Sequence, residues 1–210
     1  MTDQSEWTGK VGNVWAEEWQ RTDRSFGPLT QKLIAVARSA PFAQAIDIGC
    51  GAGEISLTLA AGAPSSHVLG VDISHDLLQV ARVRGKDRPN LRFELANAAN
   101  WHAGAAERPD LVVSRHGVMF FADPTAAFTH IAGQAAPGAR LAFSCFRERA
   151  DNIWARELAS IAPPGEEPAP DPEAPGPFAF GRRERTETLL AQSGWTDIAF
   201  EAVDYGMVAG

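Results

Sequence analysis

The chain has 210 residues, 45% of them hydrophobic, and a formal net charge of −7, which predicts one domain with a substantial apolar core. No run rich in lysine and arginine offers the basic face that phosphate groups require, so nucleic acid is not expected as a partner. No stretch of 18 apolar residues predicts a membrane span, and the N-terminus is acidic and polar without a signal-peptide core, so we expect a cytoplasmic location.

Neither the cysteines nor the histidines are arranged as a metal site. The five histidines lack the spacing of metal ligands, and no cluster of cysteine and histidine occurs, so no metal is predicted. Cys50 and Cys145 should follow strands about two strand spacings apart, roughly 9–10 Å, which is farther than a disulfide spans. Cys50 is interpreted as a small residue packed in its loop rather than as a nucleophile.

The first 40 residues are predicted to be helical. A segment that begins with Trp15-Ala16-Glu17-Glu18-Trp19-Gln20 places Trp15 and Trp19 four residues apart on one face. A second helix is predicted over Leu29–Ala37. We assign residues 1–40 to an N-terminal helical cap and residues 41–210 to the core domain.

A glycine-rich loop follows the first predicted strand, Ala45–Ile48. The loop reads Gly49-Cys50-Gly51-Ala52-Gly53, and glycine at every second position suits a backbone that turns sharply close to a ligand. A dinucleotide fingerprint would need a third glycine where this chain has Glu54, whose charge would repel a pyrophosphate. A P-loop would need Gly-Lys-Ser/Thr after the loop, which this sequence lacks. What remains is G-x-G-x-G, with Asp47 two residues ahead of it.

The next two predicted strands end in polar residues that suit a nucleoside. Val68–Val71 is followed by Asp72, about 20 residues after the loop, where a carboxylate accepts hydrogen bonds from ribose hydroxyls. Leu91–Leu95 is followed by Asn97 and Ala98, where an amide can pair with the edge of an adenine ring. The loop and these polar residues come in the order and spacing of a nucleoside site.

Strands and helices continue to alternate along the rest of the chain. Ser74 and Asp123 are predicted helix N-caps, and proline follows Asp123 at the first helical position. The Pro-rich loop at residues 163–177 is expected to be extended or disordered. The other predicted elements are strands over Asp110–Ser114, Arg140–Phe146 and Trp195–Val203, and helices over Asp76–Arg84, Asn152–Ile161 and Arg182–Gln192.

With these motifs the sequence resembles the class I S-adenosylmethionine-dependent methyltransferases over nearly its whole length. The resemblance rests on Asp47–Gly53, Asp72, Asn97-Ala98 and Pro137–Leu141. It implies an α/β fold with a doubly wound, Rossmann-like, mostly parallel sheet of strand order 3-2-1-4-5. It also implies S-adenosylmethionine as cofactor and S-adenosylhomocysteine as product. Ser114–Pro124 is similar to the small-molecule group related to quinone-biosynthesis C-methyltransferases.

The resemblance also implies roles at the matched positions. The glycines would let the backbone approach the methionine part and the ribose, and Asp47 would face the amino group. Asp72 would hold the ribose, and Asn97, where the family usually has Asp, would contact adenine with weaker or altered affinity. The predicted cofactor-binding residues are Asp47, Gly49, Cys50, Gly51, Gly53, Asp72, Ile73, Asn97, Ala98, Ser114, Arg115, Trp15 and Trp19.

Three aromatic residues have two interpretations each. His116 is the candidate catalytic base, because it follows strand 4 next to the expected methyl position and histidine titrates near neutral pH. The alternative is a histidine that packs in the loop and bonds to backbone. Trp15 and Trp19 either form a lid over the cofactor, as the N-terminal helix does in relatives, or anchor that helix on the core.

The C-terminus leaves the sheet of this family incomplete. The family closes its sheet with an antiparallel strand 7 inserted between strands 5 and 6. Trp195–Val203 is assigned to strand 6, and the residues after it are too few to form strand 7. We expect that the sequence is truncated; alternatively, strand 7 is missing or comes from another chain.

The sequence thus predicts methyl transfer from S-adenosylmethionine to carbon or oxygen of a small-molecule acceptor, and leaves the oligomeric state open. One alternative is a non-catalytic cofactor-binding module of the same fold. The other is an NAD(P)-dependent oxidoreductase, against which Glu54 argues.

Overall fold

The structure, a computed structural model, describes residues 4–104, 106–161, 171 and 174–207. Strands and helices alternate along most of this length. The strands are β1 (Gln44–Ile48), β2 (His67–Asp72), β3 (Leu91–Leu95), β4 (Leu111–Arg115) and β5 (Arg140–Ser144). The α-helices are α1 (Gln4–Trp7), α2 (Lys10–Glu17), α3 (Trp19–Ser25), α4 (Gly27–Ala37), α5 (Glu54–Gly62), α6 (His75–Gly85), α7 (Pro124–Gln134), α8 (Ile153–Ile161) and α9 (Arg183–Gln192). Short 3-10 helices span Gly117–Phe120 and Arg149–Asp151.

The strands form one parallel sheet in the order β3-β2-β1-β4-β5, which confirms the predicted fold class and strand order. β1 lies at the centre, where Ala45 is beside Val68 of β2 and Leu111 of β4. The chain builds outwards from β1 to β3 and then returns to build β4 and β5 on the other side. Ligands of such sheets bind at the carboxyl ends of the strands beside this reversal. The glycine loop after β1 therefore lies at the point where a ligand is expected.

Helices cover both faces of the sheet, so its central strands are apolar on both sides. On one face Ile46 and Val112 belong to a buried cluster that includes Phe128 of α7. On the other face Val113 packs in a cluster with Leu59 of α5. This alternation fixes which strand residues point to which helix layer, and it leaves the strand ends to carry the polar residues.

The N-terminal helical region is divided where a continuous segment was predicted. α2 ends at Glu17, and α3 begins at Trp19, because Glu18 has φ −101° and ψ 19°, outside the α-helical range. Trp15 and Trp19 therefore lie on different helices.

The predicted N-caps of α6 and α7 are confirmed. Ser74 Oγ accepts from the Leu77 N–H at 3.4 Å, and Asp123 Oδ1 accepts from the Ala126 N–H at 3.0 Å.

The prediction of a strand over Trp195–Val203 is wrong, since the described part of this segment contains no strand. Trp195 Nε1 donates to the carbonyl of Phe128 on one face of the sheet at 3.3 Å. Glu201 then pairs with Lys32 of α4, which covers the other face, at 2.6 Å. The segment thus crosses the edge beside β5 instead of running along it.

Both cysteines have free thiols. Burial raises the pKa of Cys145 to about 11 and raises the pKa of Cys50 well above its usual value. Both thiols stay protonated near neutral pH, which agrees with Cys50 being a packing residue.

In the ranges described above, no helix combines the length and the apolar composition needed to cross a membrane.

Two loops meet without room for side chains at the end of β1. Gly49 has φ +65°, and a Cβ atom built on it would lie 2.7 Å from the Cα atom of Gly117 in the loop after β4. A Cβ atom on Gly117 would lie 2.5 Å from the Ile48 carbonyl oxygen. The neighbouring atoms are backbone and cannot rotate away, so both positions require glycine.

We therefore predict that Gly117→Ala lowers the free energy of unfolding by about 1–3 kcal/mol, the usual range for overpacking. Gly133→Ala is the matched control, because nothing lies within 4 Å of its added methyl group. The control should be neutral or slightly stabilising, since alanine favours helix. Urea denaturation of both variants checks this, and equal stability would contradict the close approach of the two loops.

Candidate cofactor and active site

A cavity of about 360 Å³ opens at the carboxyl ends of the strands. This volume is within the usual range of small-molecule sites. Most of the predicted site residues meet there, although they come from all parts of the first 116 residues. The predicted residues that line the cavity are Trp15, Trp19, Asp47, Gly49, Cys50, Gly51, Asp72, Ile73, Asn97, Ala98, Arg115 and His116.

The three glycines of the loop have different surroundings. Gly51 has φ +54° and nothing within 4 Å of an added Cβ atom, so its open side leaves room for a ligand. Gly53 has φ +88°, and its Cβ atom would meet Phe93 at 3.0 Å and Ala81 at 3.2 Å. Gly53 is outside the cavity lining and serves the packing of α5 against its neighbours. The predicted ligand contact of Gly53 is therefore not supported.

Asp72 ties the glycine loop to the start of α6. Its Oδ2 atom accepts from the Gly51 N–H and its Oδ1 atom from the Ser74 N–H, each at 2.8 Å. Burial raises the pKa of this carboxyl, although the backbone hydrogen bonds oppose the rise. A carboxylate can accept about four hydrogen bonds, so the two oxygens keep acceptor sites for a ligand's hydroxyl groups.

Asp47 is the more deeply buried of the two acids, with 1% of its surface exposed. Its Oδ2 atom accepts from the Ser56 hydroxyl at 2.6 Å, while Oδ1 has no hydrogen-bond partner among the described residues. Burial raises the pKa of Asp47 to about 7; the Ser56 hydrogen bond and Arg115 lower it, but by less. A buried carboxylate beside a cavity, with one oxygen unpartnered among the described residues, is suited to a cationic ligand group.

The end of β3 supplies a polar edge. Asn97 and Ala98 line the cavity together with Ile73, which follows Asp72. The Asn97 Oδ1 atom accepts from the N–H of Ala99 at 3.0 Å. This turn fixes the orientation of the side-chain amide beside the cavity.

Ser114 and Arg115 at the end of β4 have separate tasks. Ser114 is completely buried outside the cavity lining. Its Oγ atom donates to the Ile48 carbonyl at 2.7 Å and accepts from the Gly117 N–H at 3.1 Å. Ser114 thus joins two loops, and its position gives no support to the ligand contact predicted for it. Arg115 lines the cavity and donates to Thr30 Oγ1 at 2.7 Å.

His116 is held between aromatic rings. It has φ +67°, a left-handed conformation, and its ring stacks on Phe146 at 4.3 Å between centroids and meets the edge of Phe26 at 5.0 Å. Burial, with a smaller contribution from Arg115, lowers the pKa of His116 to about 3. The expectation that His116 titrates near neutral pH is therefore wrong, because the enclosed imidazole stays neutral.

The N-terminal helices form a wall of the cavity through Trp15 and Trp19. Trp19 lies against the guanidinium of Arg84, 3.9 Å from the ring centroid. Trp15 packs on Trp7, which in turn contacts Phe120. Both tryptophans thus serve as anchors and also line the cavity, so the two interpretations made from the sequence are compatible.

Sequence reasoning missed an ion network that holds α3 on the core. Asp23 of α3 pairs with Arg84 of α6 at 2.8 Å and with Arg115 of β4 at 3.4 Å. Arg84 also pairs with Glu54 at 2.8 Å. No spacing in the sequence signals these long-range pairs. Many of the other lining residues that were missed are aromatic or apolar, among them Trp7, Phe26, Met119, Phe120, Phe121, Phe146, Trp154, Pro177 and Met207.

A parallel sheet of this order, with a glycine loop after β1 and an acid after β2, defines a Rossmann-like methyltransferase fold. The model of the methyltransferase domain family matches residues 45–138. This match and the relatives below support a class I S-adenosylmethionine-dependent methyltransferase with S-adenosylmethionine as cofactor, as the resemblance predicted.

Relatives of known name agree with this assignment. The chain is 36% identical over 120 residues to a trans-aconitate 2-methyltransferase of Methylobacterium radiotolerans, covering 57% of this chain and 44% of that protein. It is 30% identical over 164 residues to another from Variovorax paradoxus, covering 78% and 58%. The chain thus spans about half the length of these curated relatives. Its fold matches magnesium protoporphyrin IX methyltransferase from Synechocystis PCC 6803 with bound SAH, with a TM-score of 0.63, 16% identity, and coverage of 92% of this chain and 89% of that one.

The burial of Asp47 predicts a specific pH dependence of stability. Because the pKa of its carboxyl is about 7 in the folded chain and 3.8 ordinarily, ionisation in the folded state is penalised. The penalty is absent below pH 4, grows as the pH rises, and is complete above pH 7, where it is on the order of 4 kcal/mol. Asp47→Asn should therefore stabilise the ligand-free protein at pH 8 and have little effect at pH 4.

Urea denaturation at the two pH values measures this difference. Asp87→Asn, at an exposed site, is the control and should change the free energy of unfolding equally at both pH values. A gain for Asp47→Asn that is the same at pH 4 and pH 8 would show that the ionisation of Asp47 is not its source.

Proposed function

We propose that the protein transfers a methyl group from S-adenosylmethionine to carbon or oxygen of a small-molecule acceptor. One observation carries the proposal: the open side of Gly51, the two buried acids Asp47 and Asp72, and the polar edge at Asn97 all face one cavity. These features match in kind and order the amino end, ribose and adenine of this cofactor. The family assignment supports the same chemistry.

In this proposal each end of the cofactor meets a different strand end. Asp72 accepts from the ribose hydroxyls with its remaining lone pairs, and Asn97 and Ala98 contact the adenine edge. Asp47, whose Oδ1 atom has no hydrogen-bond partner among the described residues, faces the cationic amino group. Arg115, already oriented by Thr30, lies beside the methionine part. Gly51 lets the backbone approach without a clashing side chain.

The protein's contribution to the reaction is mainly positioning. When bound, S-adenosylmethionine supplies an activated sulfonium methyl group, which passes to the acceptor and leaves S-adenosylhomocysteine. An acceptor hydroxyl or carbon that loses a proton in the reaction must release it to solvent or to a base. Holding the acceptor atom in line with the methyl group supplies several kcal/mol of rate enhancement.

His116 contributes a neutral imidazole beside the cavity. A pKa of about 3 makes it a poor general base near neutral pH, because an efficient base has a pKa near the working pH. The burial of the ring therefore favours a role in shaping the acceptor side of the cavity over proton removal. The general-base role remains a prediction from the sequence.

The N-terminal residues 1–40 are proposed to act as a helical lid over the core domain of residues 41–210. Trp15 and Trp19 line the cavity from two helices, and the pairs of Asp23 with Arg84 and Arg115 hold α3 in place. Such a cover excludes water from the methyl transfer.

The Pro-rich loop at 163–177 lies outside the described residues except for 171 and 174–177.

The two alternatives make different demands on the site. An NAD(P)-dependent oxidoreductase needs space for a pyrophosphate at the start of α5, where Glu54 is held by Arg84. A non-catalytic module would bind the cofactor without turnover.

Nucleic acid remains an unexpected partner because the ionisable residues that line the cavity are mainly acidic. The cytoplasmic location stays a prediction.

Calorimetric titration with S-adenosylhomocysteine tests the cofactor. The protein should bind this ligand more tightly than NADH, and Asp72→Asn should weaken the binding at least tenfold, about 1.4 kcal/mol, because a charged acceptor for the ribose is lost. Asp87→Asn, which removes the same charge from an exposed loop, should leave the affinity unchanged. Tighter binding of NADH would instead support the oxidoreductase.

The affinity for S-adenosylhomocysteine should also depend on pH through Asp47. A cationic amino group favours the ionised carboxylate, so binding below pH 7 requires Asp47 to release a proton. The affinity should therefore fall as the pH is lowered below about 7, by at most tenfold per pH unit. Titrations at pH 6, 7 and 8 measure this, and Asp47→Asn should remove the dependence. A slope that persists in the variant would assign the proton to another group.

A further inference from the structure

The two halves of the cavity differ in the side chains they offer. The ends of β2 and β3 carry Asp72 and Asn97, the groups suited to a nucleoside. The ends of β4 and β5 lie on the other side of the chain reversal and lead to His116 and Phe146, which also line the cavity. If the nucleoside occupies the first half, the acceptor is left with the second.

The second half is walled by stacked aromatic rings. His116 stacks on Phe146 at 4.3 Å with an interplanar angle of 25°. Phe146 meets the edge of Trp154 of α8 at 5.4 Å. Trp154 is in turn supported from behind by Phe178, 5.7 Å away and inclined by 21°. These supported rings present a rigid apolar wall to whatever binds beside them.

Charge in the cavity opposes an anionic acceptor. Among the described lining residues, the acids are Asp23, Asp47 and Asp72, whereas Arg115 alone is a permanent cation. The Arg115 guanidinium is already engaged by Thr30 and by Asp23. An acceptor carboxylate moved from water into such a site would lose its hydration without gaining an unengaged cation in the described lining.

Arginines near the aromatic wall do not add positive charge to the cavity lining. Arg147, Arg149 and Arg156 are exposed and are not part of the described lining. Arg147 pairs with Asp204 at 2.5 Å. His116 adds no positive charge, because its imidazole is neutral near neutral pH.

We infer that the acceptor, given the proposed methyl transfer, is a flat conjugated or aromatic molecule without negative charge that binds against His116, Phe146 and Trp154. A planar ring gains contact area and favourable stacking there. Its reactive oxygen or carbon lies at the border with the cofactor half. An acceptor of this class differs from trans-aconitate, the compound in the names of the relatives from Methylobacterium radiotolerans and Variovorax paradoxus.

A matched pair of ring compounds tests the charge preference. The purified protein is saturated with S-adenosylhomocysteine and titrated calorimetrically at pH 7 with 2-naphthol, with 2-naphthoate, which has the same ring and a negative charge, and with trans-aconitate. We expect 2-naphthol to bind at least tenfold more tightly than either anion. Equal or tighter binding of an anion, or no binding of 2-naphthol, would overturn the inference.

Variants of the wall test the location. Trp154→Ala and Phe146→Ala should weaken 2-naphthol binding at least tenfold, whereas Trp154→Phe should keep most of the affinity because a ring remains. Phe200→Ala is the control, since Phe200 packs with Arg183 away from the cavity. If an alanine variant fails to fold, Phe146→Leu and Trp154→Phe still separate loss of stacking from loss of volume. Unchanged 2-naphthol affinity in the folded wall variants would overturn the inference.

The affinity for S-adenosylhomocysteine distinguishes this inference from the proposed function. It should stay within twofold of the wild-type value in every wall variant. Normal binding of S-adenosylhomocysteine with no preference for 2-naphthol leaves the proposed function standing and removes the acceptor class. If the wild-type protein binds no S-adenosylhomocysteine, the proposed function and the acceptor class fail together.

Discussion

The hydroxyl group of Ser114 joins the two loops on which the site depends. It donates to the carbonyl of Ile48 and accepts from the N–H groups of Gly117 and Val118, at 2.7, 3.1 and 3.3 Å. Because this contact is fully buried, water cannot replace it. It holds the turn after β1 against the turn after β4, which explains why Gly49 and Gly117 approach too closely for side chains. The glycine loop and the His116 side of the cavity are thereby fixed to each other.

The two buried acids show how a hydrogen-bond environment sets the state of a carboxyl group. Asp72 receives two backbone N–H donors, whereas Asp47 receives one hydroxyl, and its other oxygen has no partner in the described part of the chain. Desolvation acts on both, but it is less compensated at Asp47, whose pKa rises to about 7. Burial therefore penalises ionised Asp47 in the ligand-free fold, and a cationic ligand group would reduce that penalty.

Local patterns in the sequence were sufficient for the sheet and for the position of Asp72 and Asn97 at one cavity. Short apolar runs ending in Asp72 or Asn97, and caps such as Ser74, have local physical causes, so their positions could be read directly. Properties that arise from distant contacts could not. The low pKa of His116 depends on burial by rings from other elements. Trp195–Val203 has an apolar strand-like pattern, but it pairs with no strand among the described residues.

The buried ion network around Asp23 illustrates the same dependence on distant contacts. Asp23 joins Arg84 of α6 to Arg115 of β4, so one carboxylate of α3 contacts both sides of the chain reversal. The desolvation of buried charges largely offsets their attraction, so the network adds little net stability. The two ion pairs of Asp23 nevertheless can form only when α3 lies in this position against α6 and β4. We therefore interpret the network as fixing the position of α3 more than its stability. Since Trp19 begins α3 and lies on Arg84, the position of α3 in turn sets the shape of the cavity wall that contains Trp19.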